Sequence, residues 1–276
     1  MEGKVMKKRF IAFMLCMAMV FSMTACGGSG SEEKQDAGDN TETDDSGSDV
    51  DYIKEKGTLV VGITEFEPMD YKDESGEWIG FDADMAKLVA DELGVEAEFV
   101  VIDWDTKIME LDSKNIDVVW NGMTLTPEVT SAMECTNAYC NNAQVVVVPE
   151  DKKDADLADL TFAVEAGSAG EAAANDKQFQ MNAVASQADA LMETASGTSD
   201  AAIIDLLMAG AMIGEGTSYT NLIHTEELTT EEYGVGCRKG SDLAEYINGI
   251  FVKTYEDGRM MEIAETYGVQ EAVVEQ

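Results

Sequence analysis

The sequence predicts an α/β protein of two lobes, each a mostly parallel sheet flanked by helices, with the chain crossing twice between them. Three observations carry that prediction. From residue 58 to about 132, short apolar runs alternate with helical stripes, the pattern of strands joined by crossover helices. The alternation starts afresh at Ala143 and continues to Ala211. The chain then returns through Tyr233-Gly-Val-Gly-Cys-Arg238 and finishes in two helices. On this reading residues 51–142 with 233–276 form lobe one, and residues 143–232 form lobe two. The convergence of strand ends and helix N-termini leaves a cleft between them.

Each element has a local reason. Thr58 to Ile63 is a short apolar run behind Gly57 and reads as a buried strand. Phe66-Glu67-Pro68-Met69-Asp70-Tyr71 and the residues up to Gly80 read as a strand end followed by a polar hairpin. Asp82 then caps a helix whose apolar positions are Met85, Leu88, Val89 and Leu93, with Gly94 at its stop. Val95, Ala97, Phe99 and Val101 alternate as in a strand. Asp105 caps a short helix carrying Ile108 and Leu111, and Ile116 to Trp120 is a further strand. Thr126-Pro127 is an N-cap with proline in the first turn. In the second half, Ala143–Val148 and Leu160–Val164 are strands, and Gly167-Ser168-Ala169-Gly170 opens a helix. Gln187–Ala195 is a helix, Ala201–Ile204 a strand, and Asp205 begins another helix. Gly258 separates the closing helices 241–257 and 259–267.

The first 25 residues read as an export signal. A basic leader with Lys4, Lys7, Lys8 and Arg9 precedes an apolar run at 10–23 and the small-residue site Thr24-Ala25-Cys26. That run is too short to cross about 30 Å of hydrocarbon as a mature helix. Cys26 directly after Ala25 looks like a lipobox, with Met23 where such motifs usually have Leu, so Cys26 would carry the lipid anchor. Residues 26–50 hold Gly, Ser, Asp, Glu, Asn and Thr with no aromatic side chain. Too little apolar surface is available there to offset ordering entropy, which predicts a disordered acidic tether.

The full chain carries a net charge of −37, and loss of residues 1–25 removes four basic groups and one acid to leave −40. So acidic a surface repels nucleic acid and anionic lipid, excluding both as partners. Beyond Cys16 and Cys26 the cysteines are Cys135, Cys140 and Cys237, which allow one bridge in three pairings or none. One histidine, His224, and no CxxC leave no metal-ligand spacing, and nothing calls for a cofactor.

Several segments in this order and spacing resemble the extracellular solute-binding proteins, family 3, of polar amino-acid ABC importers. They are Phe66-x-Pro68-Met69 with Gly80-Phe81-Asp82-x-Asp84, Asn121-Gly-Met-Thr-Leu-Thr126-Pro-Glu128, Ala138-Tyr139, Gln144 to Val148, Asp200 to Asp205, Tyr233-Gly-Val-Gly and Arg238-Lys239-Gly240. The resemblance covers residues 57–268. It implies a type II periplasmic-binding-protein-like fold whose lobes shut on one ligand by hinge motion. It also implies a lipid-anchored monomer on the outer face of the cytoplasmic membrane, held through Cys26. Such a protein would deliver an amino-acid-like solute to ABC permease and ATPase subunits.

The resemblance further implies roles for individual residues. Phe66 and Trp104 would form two aromatic walls. Asn121, Gly122 and Thr124 would supply backbone and hydroxyl hydrogen bonds. Gly167, Ser168 and Ala169 would present helix N–H groups to a carboxylate. Asp205 would pair with the α-ammonium, although a helix N-cap calls for an Asp at the same place. Two departures bear on the cargo. An arginine usually follows the Thr-Pro-Glu turn and grips the carboxylate, but here Val129 stands there, and valine does not replace a bidentate cation. Arg238 and Arg259, the only arginines after residue 25, match no such position. Either another cation substitutes, Lys107 being the candidate, or the ligand lacks a standard carboxylate. Glu165, with Asp205 and Glu65, makes an acid-rich cleft suited to a cationic or zwitterionic ligand.

Two other readings compete with import: a ligand-binding sensor uncoupled from transport, and a dehydratase-like enzyme with Glu165 or Asp205 as general acid. No nucleophile–base pair, metal cluster or phosphate loop supports the enzyme.

Overall fold

The computed structural model describes residues 47–276. Residues 1–25, Cys26 and the tether as far as residue 46 lie outside the described residues. The ordered chain opens with a helix the sequence reading missed, α1 (Asp49–Lys56), whose N-cap Ser48 accepts a hydrogen bond from the Asp51 N–H at 3.0 Å. Ser48 also donates to Asp242 at 2.6 Å, and Asp49 accepts from the Arg238 guanidinium at 3.1 Å. Residues 49–50, assigned to the tether, therefore belong to the fold. Eight residues with five charges carry no clear apolar stripe, so this helix rests on tertiary contacts more than on its own propensity.

In the first sheet, β1 (Thr58–Ile63) runs parallel to its neighbour β4 (Glu96–Val101). Between them come the hairpin strands β2 (Tyr71–Lys72) and β3 (Trp78–Ile79) and the helix α2 (Phe81–Leu93). A 3-10 turn at Trp104–Thr106 leads into α3 (Lys107–Asp112), then β5 (Val118–Val119), α4 (Pro127–Ala132) and β6 (Glu134–Cys135). The chain leaves through β7 (Cys140–Asn142).

The second sheet begins with β8 (Gln144–Pro149) and continues through β9 (Thr161–Glu165), α5 (Ala169–Lys177), β10 (Gln180–Val184), α6 (Gln187–Ser196), β11 (Ala201–Asp205), α7 (Leu206–Met212) and β12 (Leu222–Glu227). The return is β13 (Glu231–Tyr233), paired antiparallel with β7, and then β14 (Gly236–Cys237) back in the first sheet. Helices α8 (Leu243–Glu256) and α9 (Arg259–Tyr267) complete the fold.

Strand order is β4-β1-β5-β14-β6 in one sheet and β10-β9-β11-β8-β12 in the other. The expectation of mostly parallel sheets needs correcting, because each is parallel only across its first three strands. β14 pairs antiparallel with β5 and β6, and β8 pairs antiparallel with β11 and β12. The antiparallel strands follow directly on the crossings between sheets, where no helix intervenes to turn the chain round.

Both sheets are covered on two faces, which is why their strands read as unbroken apolar runs. Val145 and Val147 of β8 join one core cluster, and Val146 and Val148 join another with Phe162, Val164 and Ile203. Leu59, Val61 and Ile63 face α2 and α8, while Val60 turns toward Ile102, Ile116 and Val129. Beneath the crossings, Trp120, Tyr139 and Phe251 pack with ring centroids 5.7 to 6.3 Å apart. Asp82 is not the cap of α2: Gly80 holds that position, and Asp82 is fully buried, accepting from the Gly122 N–H and the Tyr139 hydroxyl, each at 2.7 Å. All three described cysteines are free thiols. Cys135 packs in a different cluster from Cys140 and Cys237, on the opposite face of the first sheet.

Candidate functional site

A cavity of about 500 Å³ lies between the two sheets. From the first lobe it is lined by Trp104, Asp105, Lys107, Ile108 and the segment from Asn121 to Val129 except Leu125. From the second come Gln144, Glu165, Gly167, Ser168, Ala169, Glu171, Gln187 and Asp205. Nine of the ten residues expected at the site line it, and the exception is Phe66.

Phe66 is 2 % exposed and sits in the core behind the cavity floor. Its ring meets Tyr233 edge-on at 6.4 Å. Gly122 separates it from the cavity, with φ of 56° and so little room that a Cβ there would fall 2.5 Å from the Phe66 ring. Gly122 therefore serves packing: its N–H is taken by Asp82, not offered to a ligand. Asn121 is likewise committed, accepting from the Thr64 N–H and hydroxyl and donating to the Thr64 carbonyl and Asp70. Of this turn only the Thr124 side chain makes no hydrogen bond within the protein. Trp104 lines the cavity, 7 % exposed, at the start of the turn into α3.

On the opposite side, Ser168 caps α5 by accepting from the Glu171 N–H at 3.1 Å, and Glu171 reaches back to accept from the Gly167 N–H at 2.8 Å. This is close to the capping box of a Ser followed three residues later by Glu, except that the Glu takes the N–H of Gly167, one residue before the cap, while the Ser168 N–H goes to the Glu165 carbonyl. It leaves the Ala169 and Gly170 N–H groups as the open donors of that helix start.

Asp205 closes β11 and is 3 % exposed. It makes no cap bond to α7; its carboxylate accepts from the side-chain amides of Asn142, Gln144 and Gln187. Burial, reinforced by the nearby Glu231 carboxylate, pushes its pKa up to about 8. Glu165, at the end of β9, is pushed up to about 8 as well, first by burial and then by Asp205. Its Oε1 is buried without a hydrogen-bond partner. Desolvated carboxylates with raised pKa values are unfavourable as anions until a cation reaches them.

The sequence did not single out Gln144 and Gln187, which orient Asp205. A lone polar residue opening the apolar run of β8 was the available signal for Gln144, and no comparable one marks Gln187. Glu65 is exposed and does not line the cavity, so it drops from the acid-rich set. Arg238 instead bridges Asp49 and Asp117, and Arg259 pairs with Asp257 and Glu92. Val129 lines the cavity as an apolar residue. His224 is exposed on β12, and no group of metal-ligating side chains occurs among the described residues.

Lys107 spans the cleft. Its Nζ donates to the Trp104 carbonyl at 3.1 Å and, across the cleft, to the Gly167 carbonyl at 2.9 Å. It also stands 5.0 Å over the Trp104 ring, and burial pulls its pKa down. At the same lip a Cβ on Gly167 would lie 2.7 Å from the Asp105 Cα, so the turn after β9 and the turn before α3 approach closely there.

Two α/β lobes enclosing a cavity, joined by paired crossing strands, define a two-lobed solute-binding protein. The chain belongs to the bacterial extracellular solute-binding proteins, family 3, whose model matches residues 59–270. It is 26% identical to the arginine-binding extracellular protein ArtP of Bacillus subtilis (strain 168) over 263 residues, 92% of this chain and 95% of that one. Among solved structures, a mutant of ArgBP from T. maritima is 31% identical with a TM-score of 0.74, covering 79% of this chain and 98% of that one. A substrate-binding protein of an ABC uptake transporter from Streptococcus pneumoniae, with bound histidine, is 28% identical with a TM-score of 0.76, covering 83% and 100%.

Proposed function

We propose that this protein captures a positively charged amino acid or amino-acid-like solute in the inter-lobe cleft and delivers it to a membrane permease of an ABC importer. The observation that carries the charge assignment is the lining itself. Among the described residues Asp105, Glu128, Glu165, Glu171 and Asp205 line the cavity with one cation, Lys107. Glu165 and Asp205 are desolvated carboxylates, and Glu165 Oε1 has no partner within the protein. An arriving ammonium or guanidinium neutralises them, and Trp104 covers its carbon skeleton.

Binding, and not catalysis, is the role this arrangement favours. The Asp205 carboxylate is held by amide donors, and the one histidine, His224, is exposed on β12 and does not line the cavity. Attachment through lipidated Cys26, action as a monomer, and coupling to a permease and ATPase complete the reading. Titration calorimetry against arginine, lysine, ornithine, histidine, glutamine, glutamate and aspartate tests it. Tight binding confined to the cationic members is the expected outcome. Tight binding of glutamate or aspartate with the cations inert would refute it.

A further inference from the structure

We infer that the solute held between the lobes is an organic cation without a carboxylate, an amine or guanidine of the kind left when an amino acid loses its α-carboxyl group. The inference rests on the cationic reading above and narrows it. A carboxylate taken into a closed cleft needs either a free cation or a set of unspent N–H donors. The cavity has its candidates for both, and its cation and several of its N–H donors are already used.

Among the described residues Lys107 is the only lining cation, and two of its three ammonium protons go to the Trp104 and Gly167 carbonyls. Moving it toward a ligand anion would break the bond that holds the cleft lip together. The start of α5, the other natural anion site, is filled by the protein's own acid. Glu171 accepts from the Gly167 N–H at 2.8 Å, and its own N–H goes to Ser168. A ligand carboxylate reaching the open Ala169 and Gly170 amides would lie against the Glu171 carboxylate. Like charges so placed oppose binding strongly in a desolvated site. On the first lobe, the Gly122 N–H belongs to Asp82 and the Val129 N–H to Thr126. The Thr124 hydroxyl and the Ala169 and Gly170 N–H groups keep no partner but carry no charge, and the charged group left without one is an acid. Glu165, 2 % exposed, has a buried oxygen with no donor, and it lies next to Asp205. The cavity is thus equipped for positive charge and offers a carboxylate no free cation.

Matched pairs test this in the full folded chain: putrescine against ornithine, cadaverine against lysine, and agmatine against arginine, by titration calorimetry. Each amine is expected to bind about tenfold or more tightly than its amino acid. An amino acid that binds as tightly as its amine, or more tightly, overturns the inference while leaving the cationic reading intact. If all six are inert and a neutral or acidic amino acid binds, the cationic reading itself has failed. The isosteric E171Q variant separates cause from coincidence, since a glutamine still accepts from the Gly167 N–H. It should shift the preference toward the amino acids, and an unchanged ratio overturns the exclusion at the helix start.

Discussion

At residue 167 the missing side chain decides whether the lobes can meet. Gly167 has φ of 71°, and the Asp105 backbone stands where its Cβ would go. A methyl there meets a backbone atom that cannot swing aside. Gly167→Ala should weaken ligand binding by about tenfold to a hundredfold, from left-handed strain plus the blocked approach. The check is a Kd from titration calorimetry beside a melting curve of the ligand-free protein. An unchanged Kd would mean that closure does not pass through this contact. Glu165 supports a second test. Its raised pKa, about 8, leaves it largely protonated at neutral pH without ligand, and a cation favours the ionised form. Affinity for a fixed cation should therefore rise with pH up to about 8 and then level, by up to about tenfold per pH unit for each proton released. Glu165→Gln should lose part of that slope, and titrations in two buffers of different ionisation heat would count the protons. Single residues were legible in the sequence where a strand end or helix start fixed their place whatever their use. Asp205 and Ser168 fall at the cavity, whereas Phe66 does not, because an aromatic at a strand end fits a wall and a core equally well.

Among the elements, those with a strong period were read well and those without were not. The valines of β8 and the capped starts of α4 and α5 stand within a residue or so of their expected places, since burial on two faces and Ser/Thr caps leave plain traces. Helix α1 and strands β10 and β12 left none: α1 is short and charged, and β10 carries two polar residues at a solvent-facing edge. Asp82 was misread for a physical reason. An acid in the first turn of α2 looks like a dipole partner until the fold shows Tyr139 and Gly122 donating to it. Burial pushes its pKa up to about 7 beside Asp70, which is raised too. The folded state therefore binds a proton more tightly than the unfolded chain. Stability should fall as pH rises from about 4 to about 7 and stay flat beyond. Asp82→Asn keeps a carbonyl for both donors and should lose part of that fall, read as a melting temperature that drops less between pH 5 and pH 8. An identical drop would remove Asp82 as the source.

For the whole molecule, the net charge of −37 sets how a solute arrives. A cation should associate more slowly as salt is raised, several-fold between ~20 mM and ~200 mM, while a neutral amino acid should show no such trend. Stopped-flow fluorescence of Trp104 would follow both, and equal salt dependence would count against steering. The two-lobed plan was legible because the restart of the strand–helix alternation at residue 143 is a long-range pattern that no single misplaced element erases. The mixed sheets were not, since strand direction depends on how the chain re-enters each sheet. That re-entry also places Asp205 on the axle of the molecule. Its carboxylate is gripped by Asn142, the last residue of β7, and by Gln144, which opens β8; Glu231, at the start of β13, shares both donors. Whatever takes up the charge of Asp205 thus bargains with the very amides that tie the pivot strands together. On the proposed reading, cargo and lobe movement would be coupled through this one carboxylate.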